Sequence, residues 1–410
     1  MRFSLLALKI TLFLNFIFNV PAFANPFVSL VISSVTQSLA KVDDGASHCE
    51  HYLISINPIS DFVLTDSVNF NLHLGQINDL DSLRAFISQL SKNFDSLSAY
   101  DKRTFLRSGL YELEKRSIPH LEQLDVFHQE ALLRLFSQSY HKDLSADFVL
   151  GLQSSLRNTV SKMKARNLSA IVYLMGKLSI RMSPEVLNAI QLKAVEKIED
   201  FSPQNMSNIV YGFSLVDVKP TNDFLKAWRD RYKQIYPQFE NLNIANSLFS
   251  FYLMGSAEMV KWFVRATPEP RWAAFKAISE RRQISQVFEY YFKVHQYVLQ
   301  PIIRFKGHFN DLAKKPSGAA TELEIKVGMV LALQGLDYEE EYKTSPGFYV
   351  DFFIPELNRI IQVDGPGHFI KELVNKQLIE IQRPQDLLID EVLTAYGYNI
   401  RRRSYLQINK

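Results

Sequence analysis

The stretch Asn205-Met-Ser-Asn-Ile-Val-Tyr-Gly-Phe213 decides how most of this chain is read, because two other stretches align with it. Asn167-Leu-Ser-Ala-Ile-Val-Tyr-Leu-Met175 precedes it and Asn243-Ile-Ala-Asn-Ser-Leu-Phe-Ser-Phe251 follows it, both at the same 38-residue step. A second phrase keeps that step: Pro184-Glu-Val-Leu-Asn-Ala189 aligns with Asn222-Asp-Phe-Leu-Lys-Ala227. One more step back, Gln129-Glu-Ala-Leu-Leu133 matches poorly, as the end unit of an array often does. Each unit reads as a pair of amphipathic helices, with Ser183-Pro184 and Ser202-Pro203 supplying N-cap chemistry and a proline in the first turn. Such a pair cannot bury its apolar stripe alone, so neighbours are expected to stack into a curved α-solenoid. The helical pattern begins near Ser82, with Leu83, Phe86, Ile87 and Leu90 at three- and four-residue spacing.

A second organising stretch lies near the C-terminus, from Phe348 to Phe369. Two apolar runs, Tyr349–Ile354 and Arg359–Val363, flank a Pro355-Glu356-Leu357-Asn358 turn and read as a hairpin carrying Asp351 and Asp364. An acid buried beside Val, Phe and Ile costs several kcal/mol unless it is paired, hydrogen-bonded or bound to a metal. Gly365-Pro366-Gly367 then turns the backbone and brings His368 and Phe369 beside Asp364. With a helix from Thr321 to Leu333, a strand at Tyr338–Tyr342, a helix at Pro384–Tyr396 and a strand at Tyr398–Arg402, the expected order is α-β-β-β-α-β.

Composition sets bounds around these two features. At 410 residues and 47.3 kDa the chain should hold two or three domains. Hydrophobic residues at 47%, with only 15 Gly and 16 Pro, argue for a folded, helix-rich protein. A net charge of +3 and a pI of about 8.6 permit nucleic-acid binding without demanding it. The single cysteine, Cys49, excludes an internal disulfide and a cysteine-based zinc site. The N-terminal segment from Met1 to Ala24, with Arg2, an apolar run interrupted by Lys9, and Pro21-Ala-Phe-Ala24, resembles a secretory signal peptide cleaved after Ala24. That implies export to a periplasm or the outside, with an uncleaved anchor or organelle targeting as alternatives. No other stretch has the roughly 18 apolar residues needed to span a bilayer, so the mature chain is expected to be soluble. The expected division is therefore a signal peptide at 1–24, a segment of unclear structure at 25–80, a helical-repeat domain at 81–305, a linker at 306–320 and an α/β domain at 321–410.

The repeat period, with Phe201-Ser-Pro-Gln-Asn-Met-Ser-Asn-Ile-Val-Tyr-Gly-Phe213, resembles the octotricopeptide-type repeats and the related repeats of the FAST kinase-like family over roughly residues 129–260. Those repeats act on organellar RNA, and the resemblance makes Asn208 and Asn246 on the first helices candidates for contacting bases. Val350-Asp351-Phe352, Ile361-Gln-Val-Asp-Gly-Pro-Gly-His-Phe369 and Gly397-Tyr-Asn-Ile400 look like the RAP domain, a module found beside RNA-binding helical repeats. The same outline is similar to restriction-endonuclease-like folds of the very-short-patch-repair type. Those nucleases clamp Mg²⁺ with an acid on the first helix, an aspartate on the second strand and an acid or lysine on the third. By position the set would be Glu322, Asp351, Gln362 and Asp364. Gln362 stands where a glutamate is usual, and a neutral amide holds Mg²⁺ more weakly. The reading is therefore binding rather than cutting, with no cofactor, or Mg²⁺ if the site is a nuclease.

His368, Phe369, Arg383, Arg401, Arg402 and Arg403 join the RNA-binding candidates as cationic or aromatic groups at the same end of the chain. Lys261 to Gln300 mixes Trp262, Trp272, Arg265, Arg271, Arg281 and Arg282 with interleaved glutamates, a pattern that suits strand binding or an ordinary ion-paired helix surface. The expected partner is single-stranded RNA. A Mg²⁺-dependent nuclease and an exported solenoid that binds another protein are the two alternatives.

Overall fold

The first helices of the three repeated units begin at Ala165, Pro203 and Asn241 and the second helices at Pro184 and Asn222, so the step of the sequence is also the step of the backbone. The structure, a computed structural model, describes residues 74–97, 102, 105–138, 144–300 and 320–408, all within one compact unit running from Asp61 to Lys410. The segment read as a signal peptide, nearly all of 25–80 and the stretch read as a linker, up to 319, lie outside the described residues. The chain is mainly helical, with a small sheet region at the C-terminal end. Helices α1 (Leu80–Asn93), α2 (Leu110–Ser117), α3 (Val126–Ser137) and α4 (Ala146–Thr159) precede α5 (Ala165–Lys177), α6 (Pro184–Glu196), α7 (Pro203–Leu215), α8 (Asn222–Ile235), α9 (Asn241–Leu253), α10 (Ala257–Ala266) and α11 (Ile278–Lys293). A short strand, β1 (Ile180–Arg181), lies between α5 and α6.

These helices pack in two rows. Helices α1, α3, α5, α7, α9 and α11 contact one another in succession, while α4, α6 and α8 form the second row behind them. Several local devices repeat with the sequence period. Ser179, Asp217 and Gly255 occupy the same position in successive units, and all take positive φ just past the first helix. Such a left-handed residue ends a helix sharply and turns the chain towards the next one. Ser183 and Thr221 then cap α6 and α8 by accepting from the amides of Val186 and Phe224. Each cap is clamped by the unit before it, since the Ser183 amide donates to Gln153 Oε1 at 2.8 Å and the Thr221 amide to Gln191 Oε1 at 2.6 Å. The first row is unusually close between α5 and α7, where a Cβ added to Gly212 would stand 2.4 Å from the Val172 carbonyl oxygen.

The aromatic and basic stretch after the repeats is largely spent on packing. Trp228 and Tyr232 of α8 stack at 5.4 Å, Trp262 packs edge-on against both, and Trp272 is buried. Arg271 donates to the Phe239 carbonyl, and Lys261 pairs with Glu258 at 3.7 Å.

The C-terminal part contains α12 (Glu322–Leu333), β2 (Glu339–Lys343), β3 (Tyr349–Ile354), β4 (Arg359–Asp364), β5 (Phe369–Val374), β6 (Gln377–Gln382), α13 (Pro384–Ala395) and β7 (Asn399–Ser404). One sheet has the order β2-β3-β4-β7, antiparallel except for the parallel β4/β7 pair. Val327 and Leu331 of α12 close one face over Phe352, Ile354, Ile361 and Val363. Val392 and Leu393 of α13 belong to the core on the other side, with Phe353 and Ile360.

Here the expected element order needs correction, because Phe369–Gln382 is a second hairpin rather than a connection to the last helix. Its turn, Asn375-Lys376, has both residues at positive φ, as a tight hairpin requires. The hairpin leaves the main sheet and adds β5 in parallel to β1. The repeats and the C-terminal part are thereby joined edge to edge. The Lys371 amide donates to the Ser179 carbonyl at 2.6 Å, and Arg181 spans Glu372 and Asp217 at 3.1 Å each. On the other side of the contact α13 packs on α9 and α11, where Tyr290 donates to Glu391 and Tyr396 to Glu289.

Candidate functional site

Asp351 sits where β3 loses its regular pairing on both sides. Towards β2 the ladder pairs Glu340 with Phe352 and Tyr342 with Val350, but Glu341, opposite Asp351, takes a φ of 48° and drops out. Towards β4 the regular register begins only at Phe352, opposite Ile361. Side chains replace the missing ladder bonds: the Val363 amide donates to Asp351 Oδ2 at 2.6 Å, and the Asp351 amide donates to Gln362 Oε1 at 3.3 Å. Burial pushes the Asp351 carboxyl up to about 6, helped by the nearby charges of Glu324 and Asp364 and opposed by the Val363 amide and His368. Asp351 borders a cleft of about 570 Å³ that is also lined by Glu324, Glu340, Glu341, Met329 and Tyr338.

Asp364 belongs to a different cluster, built on Arg402. Arg402 Nη1 donates to Asp364 at 2.7 Å, its Nε and Nη2 donate to Asp390 at 2.7 and 2.8 Å, and Nη2 also reaches the Asp386 carbonyl. Gln382 Nε2 donates to Asp364 and Asp386 at 3.3 and 3.2 Å, and His368 Nδ1 lies 3.1 Å from Asp386 and 3.5 Å from Asp364. Its hydrogen bond to Asp386 raises His368 above the ordinary histidine range. Burial pushes Asp364, which is 1% exposed, upward, while Arg402 and His368 pull it back. Arg402 itself is held more strongly protonated than usual by the three aspartates, against its burial. This cluster ties β4, β6, α13 and β7 together around one guanidinium.

The remaining candidates are dispersed. Glu322 points to solvent and pairs with Lys326 at 2.9 Å. The acid that faces Asp351 from the first helix is Glu324, whose carboxylate also accepts from the Thr321 amide in a capping box. Phe369 is buried against Tyr405. Arg383 donates to Ser179 Oγ across the contact between the two halves of the molecule and lies near Tyr211, and burial lowers its pKa. Asn208 is half-buried on α7, and Asn246 on α9 accepts from Gln283 Nε2 at 3.0 Å. Arg401 and Arg403 are exposed and point to the face opposite Arg402, since β7 residues alternate.

The four residues suggested by the nuclease resemblance do not fit a Mg²⁺ ion. Glu322 is turned away, Gln362 accepts from the Asp351 amide and Asp351 from the Val363 amide, and Asp364 is committed to Arg402. Among the described residues there is no group of three His, Cys, Asp or Glu side chains placed to hold a metal.

The first-helix row carries a group that motif reading passed over. Tyr173 on α5 and Tyr211 on α7, at the same position of successive units, stack with ring centroids 6.2 Å apart and an interplanar angle of 29°. Both are half-buried, and burial raises both phenols. The Lys177 ammonium lies 5.9 Å from the Tyr173 ring, Arg134 is close to Tyr173, and Arg383 is close to Tyr211. The equivalent position in the third unit is Phe249, which is buried, so the row is open at only two of its three aromatics. The repeat alignment places all three aromatics in register, and that was the signal available in the sequence.

Compared with known proteins, the chain matches no family model and no curated sequence.

Proposed function

We propose that this protein binds single-stranded RNA along the first-helix row of an α-solenoid, with the C-terminal α/β part acting as a RAP-type module beside it. The observation that carries the reading is the Tyr173–Tyr211 pair with Arg134, Lys177 and Arg383 around it. Aromatic rings offer a stacking surface to any base, and neighbouring cations meet the phosphates between bases. A repeat that returns an aromatic to the same row suits a chain-like ligand of regular spacing. Asn208, one turn before Tyr211, adds an amide capable of hydrogen bonding at the same level of the row.

The C-terminal part supports binding over cleavage. Its acids serve the sheet and the Arg402 cluster, and its Arg383, at the joint between the two parts, lies near Tyr211. Removing a stacking aromatic typically costs about 1–3 kcal/mol per base, or roughly 5- to 150-fold in affinity. Fluorescence anisotropy with labelled 12-nucleotide RNAs, run across a salt series, is the test. Tyr173→Ala and Tyr211→Ala should weaken binding within that range, whereas the Phe variants should retain it. Absence of binding at low salt, or a salt-independent affinity, would refute the reading.

A further inference from the structure

We propose that α12 and the sheet beneath it form a self-complementary surface through which two copies of this chain associate. Helix α12 is apolar nearly all round. Val327 and Leu331 face the sheet, yet Ile325, Met329, Val330 and Leu333 on the outer side are exposed, Met329 at 62% and Leu333 at 86%. A helix of that kind is normally covered on both sides, and a contiguous apolar ridge rimmed by charge marks an association site.

The charges on the two flanks decide what covers it. One row crosses the whole sheet: Glu340 pairs with Phe352, Phe352 with Ile361, and Ile361 with Arg401. All four side chains of a cross-strand row lie on one face, which here is the face that α12 covers at its centre. The row therefore reads acid, apolar, apolar, base over three strand spacings, about 14 Å. Arg403 extends the basic edge beside a cleft of about 560 Å³, and Glu324 and Glu341 extend the acidic edge beside the opposite cleft.

A two-fold axis parallel to α12 superposes the apolar ridges and sets the acidic edge of each copy over the basic edge of the other. The same patch then serves both copies and the contact closes as a dimer. A polyanion is disfavoured here by the acidic flank, and a purely basic peptide by Arg401 and Arg403.

The experiment is sedimentation velocity on the mature chain over a concentration series. A dimer is expected, weakened at least tenfold by Met329→Glu or Leu333→Glu, whose exposed positions leave the fold intact. Arg401→Glu should weaken it, and Glu340→Arg added to the same chain should restore it in part, because the charges of that one facing pair are then exchanged. Raised salt should weaken the wild-type dimer and the double variant alike. A chain that stays monomeric throughout overturns the proposal. So does a dimer indifferent to these substitutions, or cross-linking that shows α12 covered by residues 301–319 of its own chain.

Discussion

Replacing Asp351 by asparagine should make the protein more stable at neutral pH, because the native fold holds this carboxyl at a cost. Its pKa is raised from 3.8 to about 6, chiefly by burial and then by the charges of Glu324 and Asp364, which outweigh the Val363 amide and His368. The folded state therefore binds the Asp351 proton more tightly than the unfolded chain does. The contribution of this group to stability is greatest below pH 4, declines as the pH rises towards 6, and is fully lost above it. About two pH units at 1.36 kcal/mol each set an upper bound of about 3 kcal/mol. Asparagine does not titrate, and its Oδ1 can still accept from the Val363 amide, so Asp351→Asn removes the cost and keeps the hydrogen bond. For a chain of this size the bound corresponds to about 2 °C or less per kcal/mol, a rise of up to roughly 6 °C in thermal midpoint at pH 8. Melting of both proteins between pH 4 and pH 8 checks it, and the titration of His368, common to both, largely cancels in the difference. Equal midpoint differences at the two ends of that range, or a variant less stable than wild type at pH 8, would refute the assignment of Asp351 as a half-buried acid held at a cost.

Three further outcomes follow from the packing. Gly212→Ala places a methyl 2.4 Å from the Val172 carbonyl oxygen and must force α5 and α7 apart, costing about 1–3 kcal/mol by overpacking, measurable as a lower thermal midpoint. Arg402→Met leaves Asp364, Asp386 and Asp390 without their common cation, and a loss of about 3–5 kcal/mol is expected. That loss should be partly recovered at low pH, where the freed carboxyls take up protons. Arg181→Ala removes the bonds to Glu372, Asp217 and the Val216 carbonyl, so hydrogen exchange at the Lys371 amide should quicken while the β3/β4 amides stay unchanged.

The repeats were legible because their signal is redundant: the first-helix phrase and the second-helix phrase keep one period, and the structure adds Ser179, Asp217 and Gly255 at positive φ on the same step. The β3/β4 hairpin was legible because its alternation and its Pro-Glu-Leu-Asn turn are local. The β5/β6 hairpin was not, since β5 finds its outer neighbour at Ile180–Arg181, far back among the repeats, and nothing local announces that pairing. Glu324 rather than Glu322 faces Asp351 because of the pitch of α12, a small offset along the helix that motif spacing does not resolve. The capping box at Thr321 adds to the ambiguity, since it gives Glu324 a sufficient local role.

The run Arg401-Arg402-Arg403 shows how much a strand can hide in three identical residues. Read as composition it is one basic patch, suited to phosphates. Strand alternation divides it. Arg402 turns inward and is consumed by Asp364 and Asp390, while Arg401 and Arg403 turn to the face shared with α12. This division also accounts for the two acids of the β3/β4 hairpin. Asp364 answers the inward arginine, so its charge is compensated and the joint of four elements around Arg402 is held. Burial raises both carboxyls: Arg402 and His368 pull Asp364 back, whereas Asp351, opposed by the Val363 amide and His368, reaches about 6 at the point where the ladder of β3 opens on both sides. A pair of acids that look alike in the sequence thus has two unlike sets of partners, a strand amide for Asp351 and a guanidinium for Asp364. Neither is disposed to share a metal with the other, since Asp351 accepts from the Val363 amide and Asp364 from Arg402.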